Sequence, residues 1–310
     1  MDSKETEFLN FGKCVQISNG IIDAAVTVDR GPRIIRFGYS GCENVFYTDP
    51  ERRHFIRDKS ISECCGDDAV FYYCGGHRLS LSPKRMPQTY YPDNSPVVYS
   101  ILADRVSFAP EKQKQSELQI GFDVLMGDNA ADIMIVHTAR NCAKETKTCS
   151  LHPVTMLKSG GLAVVPLNFD SSNPLLPNRM IALWPGTDLH DKRIRYGKRS
   201  LLLKCEAENG KPLKIGINNV PGWCAYLEGG YLLMKHYVHN IQAAYPDFGC
   251  SFELRAENDF AEIGSLSPLY RLKPGEQIRH VENLSLYRIK DAFDPNDEES
   301  VMSCIEGLTG

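Results

Sequence analysis

Apolar and polar residues alternate with a period of two along most of this chain, in short runs that recur about every ten residues. The runs are 14–18, 22–28, 33–39, 44–47, 97–102, 106–108, 118–125, 132–140, 148–157 and 162–166. A second group follows at 200–205, 213–218, 222–227, 231–239, 250–257 and 278–289. Gly, Pro, Asn and Asp punctuate them. Asn19-Gly20 and Glu228-Gly229-Gly230 have the chemistry of hairpin turns. Residues 49–68 are polar and resolve into neither period. A helical pattern appears only in the tail, from about residue 294, with Asp294-Pro295 as cap and first position and Gly307 as stop. This rhythm predicts an all-β fold, a large antiparallel β-sandwich with a short C-terminal helix. No internal repeat or linker divides it, so residues 1–310 are expected to form a single domain.

The stretch 245–257 gives the pattern its chemical interest. Tyr245-Pro246-Asp247-Phe248-Gly249 is a turn, and a strand follows. Cys250, Phe252, Leu254 and Ala256 fall on one face; Ser251, Glu253, Arg255 and Glu257 fall on the other. Alternation alone reads this as a half-buried strand with a solvated charged face. The sharper reading is a polar binding floor centred on Glu253. A second stretch of interest is Gly75-Gly76-His77-Arg78-Leu79-Ser80-Leu81-Ser82. Its glycines permit close backbone approach. His77 shares its face with Leu79 and Leu81, as core histidines do, while Arg78 shares the serine face and is placed to reach a polar ligand. Lys235 shares a face with Tyr237 and His239 and is a candidate for the same cleft.

Composition narrows the classes. The chain has 310 residues, 42% hydrophobic and 24% charged, with a formal net charge of -4. That is an ordinary globular composition. The slight acidity excludes the basic excess that nucleic-acid binding needs. No apolar run reaches the roughly 18 residues of a membrane span. The N-terminus, Met1-Asp2-Ser3-Lys4-Glu5, lacks the features of a signal peptide. The 11 cysteines are odd in number and scattered, which predicts free thiols in a reducing, cytoplasmic setting.

No phosphate-cradling loop, nucleophile elbow or HExxH pattern is present. Neither the adjacent Cys64-Cys65 nor the Cys142–Cys149 spacing makes a thiolate zinc site. His236 and His239 point to opposite faces of a strand. Asp188, His190 and Asp191 have ligand-like chemistry but sit in a polar loop. No metal or cofactor is expected. Trp184 and Trp223, the two tryptophans, offer aromatic faces for stacking on a sugar ring, or simply fill core.

Several motifs carry a resemblance. They are Gly75-Gly76-His77-Arg78 with Pro83, Tyr90-Tyr91-Pro92-Asp93-Asn94 and Pro96-Val97, and then Tyr245-Pro246-Asp247 with Gly249-Cys250 and Glu253. Leu266-Ser267-Pro268-Leu269 and Leu272-Lys273-Pro274-Gly275-Glu276 complete the set. Together they resemble an uncharacterised bacterial family within the galactose-mutarotase-like (aldose 1-epimerase-like) superfamily. The resemblance implies a supersandwich that binds a sugar or sugar-like small molecule on a concave sheet face. It implies Glu253 as general base, and His152 or His77 as general acid. Arg78, Lys235, Asp247, Trp184 and Asp188 are then the candidate substrate contacts. Ring opening and reclosure need one base and one acid and no cofactor. A non-catalytic carbohydrate-binding or sensing protein on the same sandwich is the alternative. The oligomeric state is not legible in the sequence.

Overall fold

The structure is a computed structural model, which describes residues 1–206 and 210–310. The described residues form two large antiparallel sheets, of 11 and 10 strands, and a short two-stranded ribbon. The first sheet runs, in spatial order, Asp2–Glu7, Lys13–Ser18, Ile22–Thr27, Ile34–Tyr39, His77–Ser82, Lys147–Lys158, Phe260–Ser265, Phe252–Ala256, Leu213–Ile217 and Ile181–Leu183. Tyr270–Leu272 pairs with the start of the long strand Lys147–Lys158. The second sheet runs Ile194–Tyr196, Ser200–Lys204, Leu162–Pro166, Trp223–Glu228, Tyr231–Tyr237, Gln277–Arg288, Asp132–Asn141, Leu118–Met126, Val106–Ala109 and Val98–Ile101.

The period-two pattern explains the packing. Val15, Ile17 and Phe37 of the first sheet join Phe108, Phe122 and Ile133 of the second in one buried cluster, with Phe252 and Leu254. Burying each such side chain stabilises by roughly 1.5–3 kcal/mol. The second sheet is apolar on its other face too. Leu162, Val164, Leu202, Leu232 and Met234 there are covered by Val301, Met302 and Ile305 of the C-terminal helix Glu298–Thr309. The helix therefore covers one part of the outer face of the second sheet, and the polar outer face of the first is where chemistry concentrates.

The helix differs from expectation in its ends. It starts at Glu298 because the Asp297 carboxylate accepts from Ser300 N at 3.0 Å, the geometry of an N-cap. Asp294 instead closes a local turn through Asn296 N, and Gly307 lies inside the helix. Glu298 also ties the helix to the sheet. Its carboxylate accepts from Lys198 N, Arg199 N and Ser200 N at 2.9, 2.9 and 2.6 Å, and from the Ser200 hydroxyl at 2.8 Å. Hydrogen bonds to a charged acceptor are the stronger kind, so Glu298→Ala is expected to cost about 2 kcal/mol in a urea titration. An unchanged midpoint would show that solvent replaces those bonds fully.

Two segments depart from the alternating pattern. The polar stretch Asp2–Glu7 is an edge strand on Lys13–Ser18, and residues 44–47 make a single isolated bridge, at Phe46. There the Asn44 side-chain oxygen accepts from Phe37 N and Phe46 N and replaces the ladder. The polar stretch 49–68 contains the short helix Lys59–Cys65. No helix among the described residues is long and apolar enough to cross a membrane.

Candidate functional site

Glu253 lies on Phe252–Ala256, with Phe252, Leu254 and Ala256 turned into the inter-sheet core. Its own side chain therefore points to the outer face of the first sheet. Both cross-strand neighbours of Glu253 are glycines, Gly264 on one side and Gly216 on the other. A Cβ on Gly264 would overlap His152 Nε2, and one on Gly216 would overlap Cys250 Sγ and crowd Trp184. These two missing side chains make a notch in the sheet. His152 leans across it from the next strand, bringing Nε2 to 3.7 Å from Glu253 Oε2.

Two lysines cover the same carboxylate. Lys214, on the strand beside Gly216, places Nζ 2.6 Å from Glu253 Oε2. Lys84, just beyond the strand His77–Ser82, places Nζ at 3.2 Å from that oxygen. Lys214 also stands over the Trp184 ring, 3.9 Å from its centroid. Glu253 is only 4% exposed, and its Oε1 has no hydrogen-bond partner among the described residues. Asp247 completes this edge. Its backbone is left-handed, as is that of Phe248, and its carboxylate accepts from the Ser82 hydroxyl at 3.4 Å.

These contacts set the protonation states. Burial pushes the Glu253 carboxyl up, but His152, Lys84 and Lys214 outweigh it and hold the group well below the usual carboxylate range. Burial in turn holds His152 well below an ordinary histidine, with Lys84 and Lys214 adding to that and Glu253 opposing. His152 is therefore neutral near pH 7, where its pull on Glu253 is lost and Lys84 and Lys214 are the charges left beside the carboxylate. Lys214 is pushed down to about 8 by burial and by Lys84, against the pull of Glu253. Lys84 goes the other way: Glu253 and Glu262 overcome burial and raise it. One carboxylate is thus shared by a lysine that holds its proton and one that gives it up near neutral pH. Burial raises Asp247, and so does its neighbour Glu253.

The remaining candidates divide sharply. Arg78 lies on the same outer face, with its guanidinium carbon 4.6 Å from the Phe71 ring centroid. Trp184 reaches the site through Lys214. Asp188 is exposed and only braces its own loop, through His190 N at 2.9 Å. His77 and Lys235 belong elsewhere. Both are fully buried between the sheets, on the opposite face from Glu253. The His77 alternation with Leu79 and Leu81 already marked that side. Lys235 sits on the second sheet, so sharing a face with Tyr237 turns it inward.

There they join a second cluster. Lys235 Nζ lies 2.9 Å from Glu282 Oε1, which also accepts from the Ser265 hydroxyl at 2.7 Å. His77 Nε2 and His137 Nε2 are 3.2 Å apart and lie 3.7 and 3.4 Å from Glu282 Oε2. His77 Nδ1 bonds the Thr155 hydroxyl at 2.8 Å. His77, His137 and Glu282 offer ligand atoms within 4.8 Å of one another, a spacing that admits a metal ion. The Lys235 ammonium already neutralises that carboxylate.

Sequence reasoning missed Lys84 and Lys214. A signal for Lys214 existed: it is the one charged residue in Leu213–Ile217 and it lies two residues before a glycine inside a strand, on the same face, and such a glycine marks a close approach. Lys84 follows Ser82-Pro83 with no pattern to mark it.

No family model matches the chain, and no curated protein matches it. Solved structures do. A TPR-domain-containing protein from Parabacteroides distasonis superposes with a TM-score of 0.59 at 14% identity, over 88% of this chain and 47% of its own. The chain thus spans about half the length of that protein. A galactose mutarotase-like protein from Lactobacillus casei superposes with a TM-score of 0.56 at 10% identity, over 88% of this chain and 100% of its own. Another galactose mutarotase-like protein, from Clostridium acetobutylicum, gives 0.55 at 11% identity, over 92% and 98%. With its long paired antiparallel sheets and short C-terminal helix, the chain has the galactose mutarotase-like fold.

Proposed function

We propose that this protein is an aldose 1-epimerase-like enzyme that interconverts the anomers of a sugar held on the outer face of the first sheet. The observation that carries the reading is an ionised, buried carboxylate, Glu253, in contact with a lysine poised near neutral pH, Lys214. Mutarotation removes the proton of the anomeric hydroxyl and delivers a proton to the ring oxygen. Both oxygens are bonded to one carbon, so base and acid must stand side by side. Glu253 takes the hydroxyl proton, and the ring opens as the other oxygen is protonated. The carbonyl then rotates and the ring recloses with the roles reversed. The resemblance assigned the acid to a histidine. The electrostatics favour Lys214, because a proton donor works best with a pKa near the working pH and His152 is neutral there. His152, beside Glu253, then serves as a neutral hydrogen-bond partner of the sugar.

The pH profile tests this assignment. Lys214 is protonated below about 8 and loses its proton above it. Glu253 stays ionised across the same range. The rate is expected to fall with one proton as pH rises through about 8, and Lys214→Met is expected to remove that limb along with most of the rate. Polarimetry on freshly dissolved α-anomers measures both. A variant that keeps the same alkaline limb would assign it to another group.

One observation supports the second reading, a carbohydrate-binding protein without turnover. A carboxylate held so far below its usual range is a weak base. Thermal stabilisation by a sugar whose anomers equilibrate no faster than in buffer would establish that reading instead.

A further inference from the structure

Arg78 is an outer-face charge that the proposed chemistry does not use. It is 8% exposed. Its guanidinium stacks on Phe71, yet among the described residues it has no hydrogen-bond acceptor and no ion-pair partner. The nearby acids are engaged elsewhere. Asp93 pairs with Arg33 at 3.3 Å, and Glu262 pairs with Arg255 at 3.4 Å. A guanidinium cannot shed its proton, so this largely buried one has only the solvent that reaches it to answer its donors unless something brings an acceptor. The strand register places Arg78 relative to Glu253. Arg78, Ser80 and Ser82 line one face of their strand, and Ser80 stands opposite His152 in the ladder. Two further strands lead across the same face, through Gly264, to Glu253. Arg78 itself stands opposite Val154, which pairs with Gly264, so Arg78 lies in the same cross-strand row as Glu253, three strands away.

We propose that the sugar carries an oxyanion, a carboxylate or a phosphate, away from its anomeric carbon, and that Arg78 binds this group while the anomeric end lies at Glu253. The inference rests on the sugar site proposed above and adds the class of substrate. A planar guanidinium matches both oxyanions bidentately, and the Phe71 face holds the plane fixed.

Binding and turnover are measured separately with glucose, glucuronate and glucose 6-phosphate, by calorimetry and by polarimetry. The proposal expects one of the two anionic sugars to bind at least about 10-fold more tightly than glucose, the effect of one charged hydrogen-bonding contact. Which one does so identifies the oxyanion. Arg78→Met is expected to collapse that preference, and Arg78→Lys to restore only part of it because the fork is lost. Arg78→Met is also expected to fold with an unchanged or higher melting temperature, since it removes a largely buried charge that no acidic group of the described residues pairs with. A marked loss of stability would make Arg78 a structural residue and overturn the proposal, as would glucose binding as tightly as both anionic sugars. Tight, Arg78-dependent binding of an anionic sugar without turnover would uphold this inference and defeat the epimerase reading. Turnover of glucose with no anionic preference would do the reverse.

Discussion

Glu253→Gln is expected to slow anomer interconversion by about 10²–10⁴-fold, the range that a positioned general base contributes. Gln keeps the shape and can still accept from Lys214 and Lys84, so the loss isolates the charge and basicity. It also removes the anion that stabilises two ammonium groups within 3.2 Å of one oxygen. Lys214 already gives up its proton near pH 8, with Lys84 pushing it that way and Glu253 holding it back. Without Glu253 it is expected to deprotonate at still lower pH. The variant should therefore show both a lower rate and an alkaline limb moved toward acid. NMR exchange between α- and β-anomers measures the first, and the pH profile the second. Equal rates for wild type and variant on every sugar that binds would remove Glu253 from the chemistry.

That residue was legible in the sequence, and the reason is geometric. Period-two alternation assigns each side chain in a strand to a face, and it put Glu253 opposite Phe252 and Leu254 without any knowledge of neighbours. The same rule put His77 with Leu79 and Leu81, on the side the structure buries. Alternation cannot say which strands lie side by side. The notch at Glu253 depends on pairing with Phe260–Ser265 and Leu213–Ile217, and His152 reaches it from a strand about a hundred residues earlier. Glycine and lysine in those strands acquire meaning only from that register. Lys235 shows the same limit from the other side. Its face was readable, but whether that face met a cleft or a core depended on which sheet held the strand. Asp2–Glu7 escaped because an exposed edge strand needs no apolar face, and its pairing with Lys13–Ser18 comes from the backbone.

Lys235→Met is expected to destabilise the protein by about 3–5 kcal/mol at neutral pH, the cost of leaving one member of a buried ion pair without its partner. Glu282 is fully buried, and burial alone would raise its carboxyl; Lys235 is the main influence that overrides this and holds it well below the usual range. Without the ammonium, the Ser265 hydroxyl and the neutral His137 do not replace a full charge. Glu282 is then expected to titrate above its unfolded value instead of below it. The sign of the pH dependence follows. In the wild type the depressed pKa contributes stability that is present above the unfolded carboxylate range and is lost as pH falls below it. In the variant the raised pKa costs stability above that same range. The gap between the two proteins should therefore be widest at neutral pH and close as the carboxyl is protonated in both. Urea titrations at several pH values measure it. Lys235→Met combined with Glu282→Met supplies the control: replacing both charges with apolar groups is expected to recover most of the loss, because the cost lies in the stranded carboxylate and not in the missing contact. A double variant as unstable as the single one would instead assign the stability to the wider network through His77, His137 and Ser265, in which Glu282 is the shared acceptor between the two sheets.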